Sequence, residues 1–247
     1  MSKFLLGIPV YNEEENIVPF FEQLFVKLPE KIYHIIVIND GSTDNSKNLL
    51  ESLKKYPKIE VVHRYPNQGY GASMIFLLEY ARKNHFDFLI TMDCDRQHRV
   101  EDIQRFIEED SNIDVLSGSR YLPDSPLCGI SPPQERVKIN QKITNKLNKI
   151  YRWQLTDAFC GFKRYKTKKI NPSLLEEKGY AFPLEFWAYC YYNQLSIKEI
   201  PVARVYITDD RSFGENLDKH RIRYRYYLSV FKKSNQKFAK KIATKTS

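Results

Sequence analysis

Cysteine is sparse and never closely paired: Cys94, Cys128, Cys160 and Cys190 stand far apart, with no CxxC among them. That argues against a zinc site or a disulfide framework, and the four are read as reduced thiols of a cytosolic protein. No apolar run approaches the ~20 residues of a membrane span. The opening MSKFLLGIPVYNEEEN lacks a full apolar region and a small-residue cleavage site, so no signal peptide is expected. P-loop and GxGxxG patterns are both missing, which disfavours a nucleoside-triphosphatase or dinucleotide site. Acid is absent from one long stretch. Residues 219–247 hold ten of the 39 Lys and Arg and no Asp or Glu, which leaves 29 bases against 30 acids before them. The body is neutral and the end is basic. Such an end faces an anionic partner or is simply solvated. Nucleic acid is a poor match, because the tract adjoins a neutral body without a nucleic-acid motif.

What is present suits a folded domain. The 247 residues are 42% hydrophobic and 28% charged, enough for one sizeable core. Short β-rich runs (KFLLGIPV, HIIVIND, IEVVHRY, DFLITMD, DVLSGSRY) alternate with helical stripes such as Ile17, Phe20, Phe21, Leu24 and Met74, Leu77, Leu78, Ala81. Val, Ile, Leu and Phe fill the runs as in buried parallel strands. The β-α-β-α-β order predicts an α/β fold with a mostly parallel, doubly wound sheet and helices on both faces. LPDSPLCGISPPQ reads as a loop. After it come a helix over about 134–153, a short extended piece DAFCGFKRYK, a helix over about 183–193 and a strand IKEIPVARVYI. The expected division is a domain over 1–218 and a basic amphipathic tail over 219–247, with Tyr227, Leu228, Phe231 and Phe238 on its apolar side. A basic amphipathic helix is suited to lie on an anionic membrane surface, and a frayed solvated tail is the plainer alternative.

Open α/β sheets bind ligands beyond the carboxyl ends of their strands. Four of those ends carry polar groups here: IPVYNEEEN, VINDGSTD, MDCD and GSRY. In MDCD, Asp93 and Asp95 are two apart, so an extended chain aims both carboxylates the same way. Carboxylates so close repel unless a cation lies between them, and oxygen ligands favour Mg²⁺ or Mn²⁺. Gln97 and His98 are near enough to tune that shell. A solvated surface turn explains the same residues without a metal. In RYPNQGYGAS, Gly69 and Gly71 would let backbone N–H groups approach a phosphate, or would simply allow the turn into a helix. Arg120, Arg136 and Arg211 are candidate anion ligands, each of which could equally be an ordinary surface or salt-bridged arginine.

Together the motifs resemble family 2 glycosyltransferases with the GT-A fold, and most closely the polyprenol-phosphate branch. The likeness runs over roughly 4–217 through IPVYNEEENI, VINDGSTDNS, NQGYGAS, MDCDRQH, GSRY, DAFCGFKRY, GYAFPLEF and EIPVARVYITDDRSFG. It implies that Pro9, Tyr11, Glu13 and Asp40 hold the nucleotide of a GDP- or UDP-sugar, with Gly69 and Gly71 near that donor. It implies a metal at Asp93, Asp95 and Gln97. Arg120, Arg136 and Arg211 would grip an acceptor phosphate, and Asp157 and Glu185 would line the acceptor or sugar side. The sequence departs from the pattern at Asn39, where an acid is usual, and at Glu215 and Asn216, where the branch often has Ser-Lys.

The implied reaction is an inverting, metal-dependent sugar transfer to a polyprenyl phosphate or other lipid-linked acceptor, by a cytoplasmic protein peripherally bound to a membrane. The residues expected at the chemistry are Asp95, Asp157 and Arg120. A phosphate monoester, already largely dianionic near neutrality, needs positioning more than a base. A saccharide hydroxyl would need a carboxylate base, for which Asp157 is the candidate. A catalytically silent sugar-nucleotide binding module is the third alternative.

Overall fold

The computed structural model describes residues 2–130, 132–206 and 217–246, with the side chains of 206 and 242–246 not described. The apolar runs become β1 (Phe4–Val10), β2 (Ile32–Asp40), β3 (Ile59–Arg64), β4 (Phe88–Thr91) and β5 (Val115–Ser119). They belong to a seven-stranded sheet of order β3-β2-β1-β4-β7-β5-β8, completed by β7 (Lys163–Lys166) and β8 (Ile197–Pro201). β1 pairs in parallel with β2 and β4, β2 with β3, and β5 with β8. β7 runs antiparallel between β4 and β5. The carboxyl ends of β1, β2, β4 and β5 therefore lie along one edge of the sheet.

Both faces are covered, as the runs buried on both sides require. On one face, α1 (Glu14–Lys27), α2 (Ser46–Glu51) and α4 (Ile103–Glu108) cover Leu6, Ile8, Val37 and Ile90. On the other, α3 (Tyr70–Lys83), α5 (Gln134–Tyr151), α6 (Phe182–Tyr192) and α7 (His220–Thr246) cover Leu5, Ile36, Ile38 and Leu89. Asp44 accepts from the Ser46 amide at the start of α2 and from the Glu14 amide of α1. One carboxylate thus satisfies orphan donors of two helices.

Three expectations change. IKEIPVARVYI is not one strand: after β8 the chain leaves the main sheet, and β9 (Arg204–Tyr206) pairs in parallel with β6 (Leu127–Gly129) inside the expected loop. The boundary at 218/219 is not a packing boundary, because Tyr227, Val230, Phe231 and Phe238 of α7 are buried in the same cluster as Leu5 and Trp187. The apolar side of α7 is covered by protein and is not available to lipid. No helix among the described residues is long and apolar enough to cross a membrane.

Candidate active site

β4 stops at Thr91, and the next turn carries Asp93 and Asp95 half-buried while Cys94 between them is 1% exposed. Asp93 and Gln97 line a cavity of about 140 Å³ at this edge, together with Tyr70, His98, Arg120, Arg136, Asn140 and Arg223. Of the two carboxylates, Asp93 lines this cavity and Asp95 does not. Gly161 keeps space open beside Asp93. A Cβ there would lie 2.6 Å from Asp93 Oδ2 and 2.9 Å from the Tyr70 hydroxyl. Asp95 Oδ1 accepts the Gln97 amide at 3.0 Å, which folds the turn back on itself.

No cluster of three or more His, Cys, Asp or Glu suited to hold a metal occurs among the described residues. Two carboxylates and an amide are nevertheless the set that a hard cation takes when a substrate's phosphates complete its shell. The room beside Asp93 and the oxygen-only chemistry of Asp93, Asp95 and Gln97 fit Mg²⁺ or Mn²⁺ on that basis.

The residues expected around the donor divide in two. Pro9 is the penultimate residue of β1, in register with Ile38, and Tyr11 just beyond the strand is 44% exposed at the rim. Burial raises the Tyr180 hydroxyl above its ordinary range, and the nearby Tyr11, Asp93 and Glu13 push it the same way. Tyr180 and Asp93 line the same cavity. Asp40 behaves differently: its buried carboxylate takes the Gln68 amide at 3.0 Å, the Gly69 amide at 2.7 Å and Arg64 Nη2 at 2.8 Å. Asp40 fastens the glycine loop. Gly69 has φ +99°, and a Cβ on Gly69 or Gly71 would collide with the backbone carbonyl of Lys178 or Glu177. They make room for the 177–179 segment, which brings Tyr180 over the cavity to stack on Tyr70 with ring centres 6.1 Å apart. Asn39 turns its amide nitrogen to His63 Nδ1 at 2.9 Å and accepts the Ser42 amide at 3.0 Å.

At the end of β5, Arg120 forks onto Asp157, with Nε to Oδ2 at 2.7 Å and Nη2 to Oδ1 at 3.1 Å. Asn140 Nδ2 and the Phe159 amide also donate to Asp157 Oδ1, at 2.8 Å and 3.1 Å. Glu199 of β8 accepts the Thr156 and Asp157 amides behind it. Burial alone would raise the Asp157 carboxyl, yet the Arg120 charge and the Arg120 and Asn140 hydrogen bonds hold it down at about 2. With 0% exposure, Asp157 is fixed in a fork against Arg120 at the end of β5. Arg136 enters the cavity from the first turn of α5. Arg211 lies outside the described residues.

Glu185, only 3% exposed, accepts the Glu176 and Glu177 amides and pairs with Lys237 of α7 at 2.8 Å, so it locks α7 to the loop below Tyr180. The sequence reading missed Tyr70, Tyr180, Asn140 and Arg223. Two of these left a signal. Arg136, Asn140 and Thr144 recur every fourth residue beside the apolar stripe of α5, and Arg223 stands four before the buried Tyr227.

Comparison with known proteins follows from this geometry. The chain is 26% identical over 207 residues to the polyprenol monophosphomannose synthase of Mycolicibacterium smegmatis, covering 81% of this chain and 77% of that protein. It is 26% identical over 218 residues to the undecaprenyl-phosphate mannosyltransferase of Micrococcus luteus, covering 87% and 86%. Among solved structures, glucosyl-3-phosphoglycerate synthase from Mycobacterium tuberculosis with Mn²⁺, uridine diphosphate and glucosyl-3-phosphoglycerate superposes with a TM-score of 0.70 at 14% identity, over 95% of this chain and 80% of that one. The same enzyme with Mn²⁺ and UDP-glucose gives 0.71 at 12% identity, over 95% and 79%. These likenesses establish the GT-A fold. Residues 6–171 match the family described as Glycosyl transferase family 2, and with Asp93 and three guanidiniums lining one cavity at the strand ends, the chain belongs to that family and is a glycosyltransferase.

Proposed function

We propose that the protein transfers a sugar from a GDP- or UDP-sugar to a polyprenyl phosphate, inverting the anomeric carbon. The observation that carries this reading is one cavity lined both by Asp93, with space kept open beside it, and by the guanidiniums of Arg120 and Arg136. The names of the two relatives support a polyprenyl-phosphate acceptor and make mannose the first sugar to test.

Asp93, Asp95 and Gln97 would hold Mg²⁺ or Mn²⁺, which when bound supplies Lewis-acid stabilisation of the departing nucleoside diphosphate. Tyr11 and Glu13 bind the donor from the rim. Arg120 and Arg136 orient the acceptor phosphate, whose second pKa near ~6 leaves it largely dianionic at neutral pH. A phosphate oxygen forms the new bond to the anomeric carbon while the bond from that carbon to the diphosphate oxygen breaks. No proton has to leave the nucleophile, so positioning by guanidinium forks suffices. A hydroxyl acceptor would need a base, and Asp157 at about 2 is a poor one. Because the apolar side of α7 is buried, we assign the membrane contact to charge: Lys232, Lys233, Lys240 and Lys241 are exposed, and each basic residue near an anionic surface adds about 1 kcal/mol.

The test is transfer of label from GDP- and UDP-sugars, mannose first, into organic solvent with Mn²⁺ and polyprenyl phosphate. Asp95→Ala should abolish it, while Asp157→Asn should retain turnover with a higher KM for acceptor. Equal loss in both variants would favour a hydroxyl acceptor activated by Asp157.

A further inference from the structure

We infer that Arg223, on the C-terminal helix, is a third ligand of the acceptor's phosphate, so that the anion subsite spans β5, α5 and α7. The inference rests on the polyprenyl-phosphate reading above and assigns a residue that the motif likeness, which ends near 217, does not reach.

Arg223 is 5% exposed and yet lines the cavity beside Arg120 and Arg136. Its Nη1 donates to the Leu217 carbonyl at 3.0 Å, which fixes one edge of the guanidinium. Burying a guanidinium is costly unless charge and hydrogen bonds compensate it. Burial lowers its proton affinity; Tyr227 and Asp218 raise it, and the charge of Arg136 lowers it. Among the described lining residues Asp93 is the only carboxylate beside three guanidiniums. A doubly charged phosphate in this cavity would meet all three, with its oxygens shared among planar forks.

The helix holds this side chain in place. One turn on, Tyr227 lines the same cavity and packs on Phe159 with ring centres 4.8 Å apart. Tyr226 bonds Glu177, and Lys237 pairs with Glu185. The rotation of α7 about its axis is thus set, and Arg223 faces inward while Arg221 and Arg225 are exposed. Ile139, Phe159 and Tyr227 add apolar wall next to the guanidiniums, which suits a phosphate carried on a hydrocarbon chain.

Calorimetric binding of a short-chain isoprenyl phosphate to the full-length protein, before any turnover assay, tests this directly. Arg223→Gln should weaken binding by about tenfold or more, Arg223→Lys by less, and Arg221→Gln not at all. Affinity for nucleoside diphosphate with Mn²⁺, measured on the same preparations, should stay within about twofold, which shows that Arg223→Gln is folded. Unchanged phosphate binding in a folded Arg223→Gln would overturn the inference and leave the acceptor reading intact. Parallel loss of phosphate binding, donor binding and melting temperature, with Arg223→Lys no better than Arg223→Gln, would overturn it in favour of a structural role. Failure of the unsubstituted protein to bind the isoprenyl phosphate would overturn the acceptor reading itself.

Discussion

One methyl group at position 161 separates a ligand site from a surface turn. A Cβ on Gly161 would sit 2.6 Å from Asp93 Oδ2, so Gly161→Ala must move that carboxylate while leaving the sheet unchanged. We expect Mn²⁺-dependent binding of the nucleotide to fall at least about tenfold with little change in melting temperature. A solvated, functionless Asp93 would tolerate the change. Asp157 makes a second prediction, through pH. Its carboxyl is depressed from 3.8 to about 2; the stabilisation is present above the unfolded value and lost as pH falls through the folded one. Its contribution is on the order of 2 kcal/mol. Urea unfolding between pH ~4 and ~2 should show a steeper loss of stability in the unsubstituted protein than in Asp157→Asn. At this scale the sequence was legible where chemistry sits on a strand end: Asp93 and Arg120 stand at the cavity as their positions predict. It does not record contacts between distant segments: Gly69, Gly71 and Glu185 pack against the 176–178 backbone, while Asp40 holds the 64–69 loop.

Among the elements, α7 is the one whose role the sequence could not decide. The stripe of Tyr227, Leu228, Phe231 and Phe238 is visible in the spacing, but a stripe that meets lipid and one that meets α5 and α6 look the same. Burial settles it here. Phe238→Ala should cost about 3–5 kcal/mol in urea unfolding, and Lys237→Met should also destabilise by leaving Glu185 buried without its cation. A detached tail would give values near zero for both. β7 was foreseen only as an extended piece, and its antiparallel course between β4 and β5 is a matter of long-range pairing that no local pattern records. The same holds for β6, a three-residue strand whose partner β9 lies far along the chain.

Over the whole molecule, a nearly neutral body carries one helix whose outer side is basic, so attraction to a lipid surface should be electrostatic and salt-sensitive. Reversing Lys232, Lys233, Lys240 and Lys241 to Glu should abolish sedimentation with anionic vesicles. The same variant should leave transfer to a short, soluble isoprenyl phosphate unchanged, and loss of that transfer would tie these lysines to the site and not to the membrane. The direct test of the central claim compares two acceptors that differ by one group. With labelled GDP- or UDP-mannose and Mn²⁺, label should pass to a polyprenyl phosphate and not to the matching unphosphorylated polyprenol. Equal labelling of the alcohol would contradict a site built to grip a phosphate with arginines.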